Sequence, residues 1–179
     1  MIPKNLTRIP ENILSNKELI EEALDFGCRK AKVISTSAIS LARWVKLQCQ
    51  FGCSNHAKLF TCPPFTPESD EMAEILEEYD QALLIHANGG TNVQEIVLHL
   101  ETSFKQKGYQ KAFALGAQPC NLCDHCTIST FCQYPEKARP TLQACGIDVK
   151  TTVSNNGWTE VIEYKPCSDS HPIGMILLN

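Results

Sequence analysis

The run Pro119-Cys120-Asn121-Leu122-Cys123-Asp124-His125-Cys126-Thr127-Ile128-Ser129-Thr130-Phe131-Cys132 constrains this chain more than any other feature: it places four thiols in one polar loop with spacing C-x2-C-x2-C-x5-C. Cysteines that serve only as small buried apolar groups have no reason to crowd such a turn-forming stretch. Three cysteines two residues apart let a short loop curl around a metal–sulfur cubane, one sulfur to each of three irons, with backbone amides turned toward the inorganic sulfides. Tetrahedral zinc more often joins two separated cysteine pairs, and three evenly spaced thiols supply one ligand too many for one such pair. Bacterial ferredoxins use C-x2-C-x2-C-x3-C-P. Here five residues precede Cys132 and no proline follows it directly. His125, inside the run, is a possible zinc ligand, although a solvated position is the simpler reading.

A second group lies upstream, Cys49-x3-Cys53-x8-Cys62-Pro63-Pro64, in which Gly52 permits a tight turn and the prolines stiffen the exit. Only three thiols are local. Cys145, Cys28, Cys167, His56 or an exchangeable small molecule are candidates for the fourth position, and zinc on Cys49, Cys53, Cys62 and His56 competes with iron–sulfur. The Cys62-Pro63 pair has the form of the remote cysteine that completes a ferredoxin cluster, so ligands could cross between the groups. The spacing is not the C-x3-C-x2-C of radical adenosylmethionine chemistry.

The 10 cysteines among 179 residues are to be read as thiolates on metal, not disulfides, if the chain stays in a reducing cytosol. Met1 to Ile20 mixes prolines and charges among its apolar residues, which predicts no export signal and a cytoplasmic location. No stretch approaches the ~20 apolar residues of a membrane span. A net charge of −4 argues against broad attraction to nucleic acid or anionic lipid. With 43% hydrophobic residues, the chain has the composition of one globular domain spanning 1–179, with cysteine loops at 44–66 and 117–146 set into its core.

Around those loops the pattern is α/β. Ser15 and Glu18 form a capping box for a helix over 16–26, and Lys32 to Leu47 reads as two short strands parted near Ser37. Thr66 as N-cap and Pro67 at the first position open a helix ending near Asp80. Ala82 to Ala87 is a buried strand, Asn92 caps a helix running to Gly108, and Lys111 to Gly116 is another strand. Pro140 and Asp148 each open a short helical stretch, and Thr159–Tyr164 and Ile173–Leu178 are a closing strand pair. The expected architecture is a single mixed sheet flanked by helices, with the cysteine loops at strand ends near Leu47 and Gly116. If those strands are parallel, both loops and the Asn88-Gly89-Gly90 turn share one sheet edge.

The string Gly116-Ala-Gln-Pro-Cys120-x2-Cys123-x2-Cys126-x5-Cys132-x2-Pro135-Glu-Lys-Ala138-Arg139-Pro140-x4-Cys145-Gly-Ile-Asp-Val149, with Lys46-x2-Cys49-x3-Cys53 and Cys62-Pro-Pro before it, resembles the predicted metal-binding proteins grouped as domain of unknown function 2284. That resemblance implies metal binding, mostly in anaerobic microbes, with no settled reaction. Asn55-His56-Ala57-Lys58 stands where similar proteins are expected to carry an aromatic–glycine pair.

The ligand set expected from these readings is Cys49, Cys53, Cys62, Cys120, Cys123, Cys126, Cys132 and Cys145, holding one or two [4Fe–4S] clusters or, alternatively, Zn2+. Cys145 could equally be a buried small apolar residue, while Cys28 and Cys167 read as ordinary thiols. Arg139 could tune a cluster, dock an acidic partner or simply cap nearby carbonyls. His86 and His99 read as a core and a surface histidine. Electron transfer with a partner redox protein is the leading function. The rivals are a zinc-stabilised interaction module and an enzyme whose iron–sulfur cluster keeps an open position.

Overall fold

The computed structural model describes residues 14–160 and 172–179. Among the described residues four strands, β1 (Cys28–Ser35), β2 (Gln81–Ala87), β3 (Phe113–Leu115) and β4 (Ile173–Leu178), form one sheet in the order β1-β2-β4-β3. All three ladders are antiparallel, with Val33 opposite Leu83, Leu83 opposite Ile176, and Ala114 opposite Ile176. The α/β class and the single helix-flanked sheet therefore hold, whereas the mixture of strand directions does not. The C-terminal strand β4 inserts between β2 and β3, and both run antiparallel to it.

Strand alternation sorts the core into two layers. Leu83, Ile85, Ala87, Ala114, Ile176 and Leu178 face α1 (Asn16–Asp25) and α4 (Val93–Gln106), burying Leu19, Ala23, Val97, Leu100 and Phe104. Ala82, Leu84, Leu115, Met175 and Leu177 face α3 (Ser69–Glu77), a 3-10 turn at Gln143–Cys145 and α5 (Val149–Asn155). Gly174 lets α4 settle onto β4: a Cβ there would stand 2.7 Å from Val97 Cγ1 and 2.9 Å from Val93 Cγ1. Helix caps follow the sequence, with Ser15, Asn92 and Asp148 each accepting a backbone N–H of the first turn.

Two expectations fail locally. The second strand expected before Leu47 is a helix, α2 (Arg43–Gly52), so the first cysteine group does not follow a strand: Cys49 lies inside α2 and Cys53 caps its C-terminus. The helix after the first group begins at Ser69 instead of Pro67, because Thr66 does not cap it. Its hydroxyl donates instead to Ala144 O at 2.5 Å, tying the loop to the Gln143–Cys145 turn. The strand expected at Thr159–Tyr164 lies largely outside the described residues, and Thr159 and Glu160 are in a turn. Among the described residues no helix is long and apolar enough to cross a membrane.

Candidate metal centre

Strand β3 ends at Leu115, and the chain returns to ordered pairing only where Gly116 bridges Thr141. Residues 117–140 between them contain neither helix nor strand. A structureless loop longer than ~12–15 residues inside a compact domain is functional or disordered as a rule. This one is pinned. Gly116 N–H donates to Pro140 O (2.8 Å) and Leu142 N–H to Gly116 O (3.1 Å), closing the base.

Arg139 fixes the returning limb. Its guanidinium is nearly buried, donates to Glu101 Oε2 (2.7 Å) and Oε1 (2.6 Å) on α4, and also bonds the carbonyls of Pro135 and Ala138. The Phe113 ring lies 5.1 Å beneath it, within cation–π range. Glu101 further accepts from Lys105 Nζ and from Ala114 N–H of β3. Burial alone would raise the Glu101 carboxyl, but hydrogen bonds from Arg139, Lys105 and Ala114 outweigh it and hold the group below its ordinary value. Of the three roles weighed for Arg139, carbonyl capping is the one its bonds display. Sequence reasoning did not single out Glu101, whose position inside an amphipathic helix carries no local signal.

Held this way, the loop brings Cys120, Cys123, Cys126 and Cys132 to the wall of one hollow of ≈ 20 Å³, room for about a water molecule. Leu59, Phe60 and Thr61 of the first cysteine loop close the other side, so the two loops meet at this point. Among the described residues, no three or more His, Cys, Asp or Glu side chains are gathered tightly enough to hold a single metal ion. Burial raises the Cys120 thiol, the Leu122 N–H opposes, and Cys132, Cys123 and Cys126 push it further up. Cys123 is raised as well, chiefly by loss of hydration, with Cys126, Cys132 and Asp124 adding to it. Raised thiols at Cys120 and Cys123 are what a cation, by displacing their protons, would relieve. His125 is exposed, with Nδ1 against the Asp124 carbonyl.

The first group is arranged differently. Cys49 and Cys53, one helical turn apart, line a cleft of ≈ 630 Å³ with Val45, Leu47, Phe51 and Gln143. Gln143 is 3% exposed and its Oε1 has no hydrogen-bond partner. Burial raises the Cys49 thiol, Cys53 adds to this, and the Lys46 ammonium opposes. Lys46 is itself buried and donates to the carbonyls of Thr66 (3.3 Å) and Pro67 (2.7 Å) and to Glu68 Oε1 (3.0 Å), so it pins the exit of this loop as Arg139 pins the other.

Cys62 is buried but does not line the Cys49–Cys53 cleft. His56 is half-buried in the turns after α2. Cys145 packs in the core beneath, where burial pushes its thiol up to about 12, with Lys46 opposing. Cys28 lies on the opposite face of the sheet, in the α1–α4 layer, its thiol pushed by burial to about 11. Cys167 is outside the described residues. His86 is buried, 6.2 Å from the Trp158 ring, and exposed His99 stacks on Phe26. The Asn88-Gly89-Gly90 turn does reach the second loop, since Gln118 Nε2 donates to Thr91 O at 3.3 Å.

A family described as predicted metal-binding protein (DUF2284) matches residues 32–178. No curated protein and no solved structure matches the chain.

Proposed function

Since the chain belongs to this family of predicted metal-binding proteins, we propose that Cys120, Cys123, Cys126 and Cys132 hold a [4Fe–4S] cluster through which the protein exchanges electrons with a partner redox protein, in the cytoplasm of an anaerobe. The observation that carries this reading is the lining of a single hollow by all four thiols of the C-x2-C-x2-C-x5-C run. The donor set suits iron–sulfur: soft thiols, no carboxylate or imidazole among the lining residues, and apolar walls from Leu59, Phe60, Leu122 and Tyr134. A bound cluster would supply one-electron chemistry. The chain's own part is to hold the thiols through the Arg139–Glu101 clamp, to exclude water with the first loop, and to offer Phe65 and Phe131, both exposed beside Cys132, as apolar contact for a partner.

A second reading, an enzyme with an open iron position, draws its support from the first group. Cys49 and Cys53 face a cleft in the range of small-molecule sites, with the unpartnered Gln143 amide oxygen beside them. Here Cys62 and Cys145 remain the candidates for further thiolates.

Iron and acid-labile sulfide, counted after oxygen-free purification of single variants, test the assignment. Replacing Cys120, Cys123, Cys126 or Cys132 with serine is expected to remove one cluster's worth of iron, and Cys28→Ala to remove none. A full iron count in all four serine variants contradicts the reading. Stoichiometric zinc without iron replaces it by a zinc-stabilised interaction module.

A further inference from the structure

One polar group on the wall of the four-cysteine hollow has nothing in the described chain to bond. Thr61 is 6% exposed, and its Oγ1, shielded from water, has no hydrogen-bond partner. The other buried threonines are satisfied: Thr66 donates to Ala144 O, Thr141 accepts from Ala144 N–H, and Thr152 accepts from Ser40 N–H. A buried hydroxyl without a partner is unfavourable and calls for an explanation. Its position supplies one. The turn closed by Cys62 N–H on Leu59 O (3.0 Å) presents Thr61 to the hollow that Cys120, Cys123, Cys126 and Cys132 line. The four thiols share this wall with it.

We propose that Thr61 donates its hydroxyl hydrogen to a sulfur of the group held in this hollow, an inorganic sulfide or a cysteine thiolate, and so raises that group's reduction potential. The proposal rests on the iron–sulfur reading above. A donor aimed at cluster sulfur stabilises the more negative, reduced state more than the oxidised one, and hydrogen bonds to the sulfurs are among the levers that set such potentials. Thr61 is thus a positioning and tuning residue contributed by the first cysteine loop to the site of the second.

Thr61→Val keeps the shape and removes the hydroxyl; Thr61→Ser keeps the hydroxyl. Both are compared with the unmodified protein, purified without oxygen, by iron count and by a potentiometric titration followed by electron paramagnetic resonance. At equal iron, the valine variant is expected to have a more negative midpoint and the serine variant a midpoint close to the unmodified one. Without metal, the valine variant is expected to unfold at the same or higher denaturant concentration, which a merely structural hydroxyl would not allow. Equal midpoints for the valine variant and the unmodified protein overturn the proposal. If the valine variant loses its iron, the serine variant decides: an unchanged midpoint supports the donor role, and a shifted midpoint or lost iron overturns it. An unmodified protein that holds no iron sinks the underlying reading first, so the two failures are told apart.

Discussion

Arg139→Met removes the cation that clamps the second cysteine loop, and the structure sets the size of the effect. Glu101 has a side chain only 3% exposed and accepts four hydrogen bonds, two of them from Arg139. Removing one partner of a buried pair leaves an uncompensated charge and costs about 3–5 kcal/mol. Lys105, on the partly exposed side, and Ala114 N–H remain as donors, which places the expected loss toward the lower figure. Arg139→Met combined with Glu101→Leu removes both charges, and the pair is expected to recover at least half of that loss, since apolar replacement of a whole buried pair is often near neutral. Urea unfolding of the single and double variants gives the coupling directly. The Glu101 carboxyl is held below its ordinary value. Its contribution is therefore complete above about pH 4.3, the unfolded value, and disappears as pH falls through the lower folded value. Glu101→Gln should flatten stability against pH in that acid window. A loss under ~1 kcal/mol for Arg139→Met, or additive losses in the double variant, refutes the clamp.

Gly174→Ala drives a Cβ into Val97 and Val93, whose branched side chains have little rotamer freedom in a helix, and should lower stability by about 1–3 kcal/mol in chemical unfolding. An unchanged midpoint would mean that α4 does not rest on β4 this closely. Ala57 sits at φ 57°, in the left-handed region. Ala57→Gly relieves roughly 1–2 kcal/mol of steric cost against ~0.4–1 kcal/mol of added unfolded-chain freedom, so thermal unfolding should shift slightly upward. A lower melting temperature would contradict the left-handed turn.

Elements whose burial is local in sequence were legible. The apolar run of β2 is buried on both faces, and α1, α4 and α5 carry their own capping residues. Helix α2 was not. It buries Val45, Lys46 and Cys49 while exposing Trp44, Leu47 and Phe51, so its apolar residues make no single stripe, and its N-cap, Ala42, has no capping side chain. The strand directions depend on Ile173–Leu178 pairing with residues about 90 positions earlier, which local periodicity does not encode. The candidate site divides in the same way. The four-cysteine run announces itself by spacing, and the family match over residues 32–178 agrees with the metal reading. The groups that shape the site, Glu101, Lys46, Gln143 and Thr61, act through burial and through partners distant in the chain. Lys46 alone had a sequence signal, as part of the string shared with the family. Ala57 adds a converse case: the left-handed turn it occupies falls in the segment where an aromatic–glycine pair was expected.

Electron paramagnetic resonance of the oxygen-free protein after reduction, with iron counted on the same sample, reads the proposed cluster itself. The account predicts about four irons per cluster and a low-temperature signal of a reduced [4Fe–4S] centre that is lost in Cys123→Ser. A folded protein with no iron and no signal would contradict it.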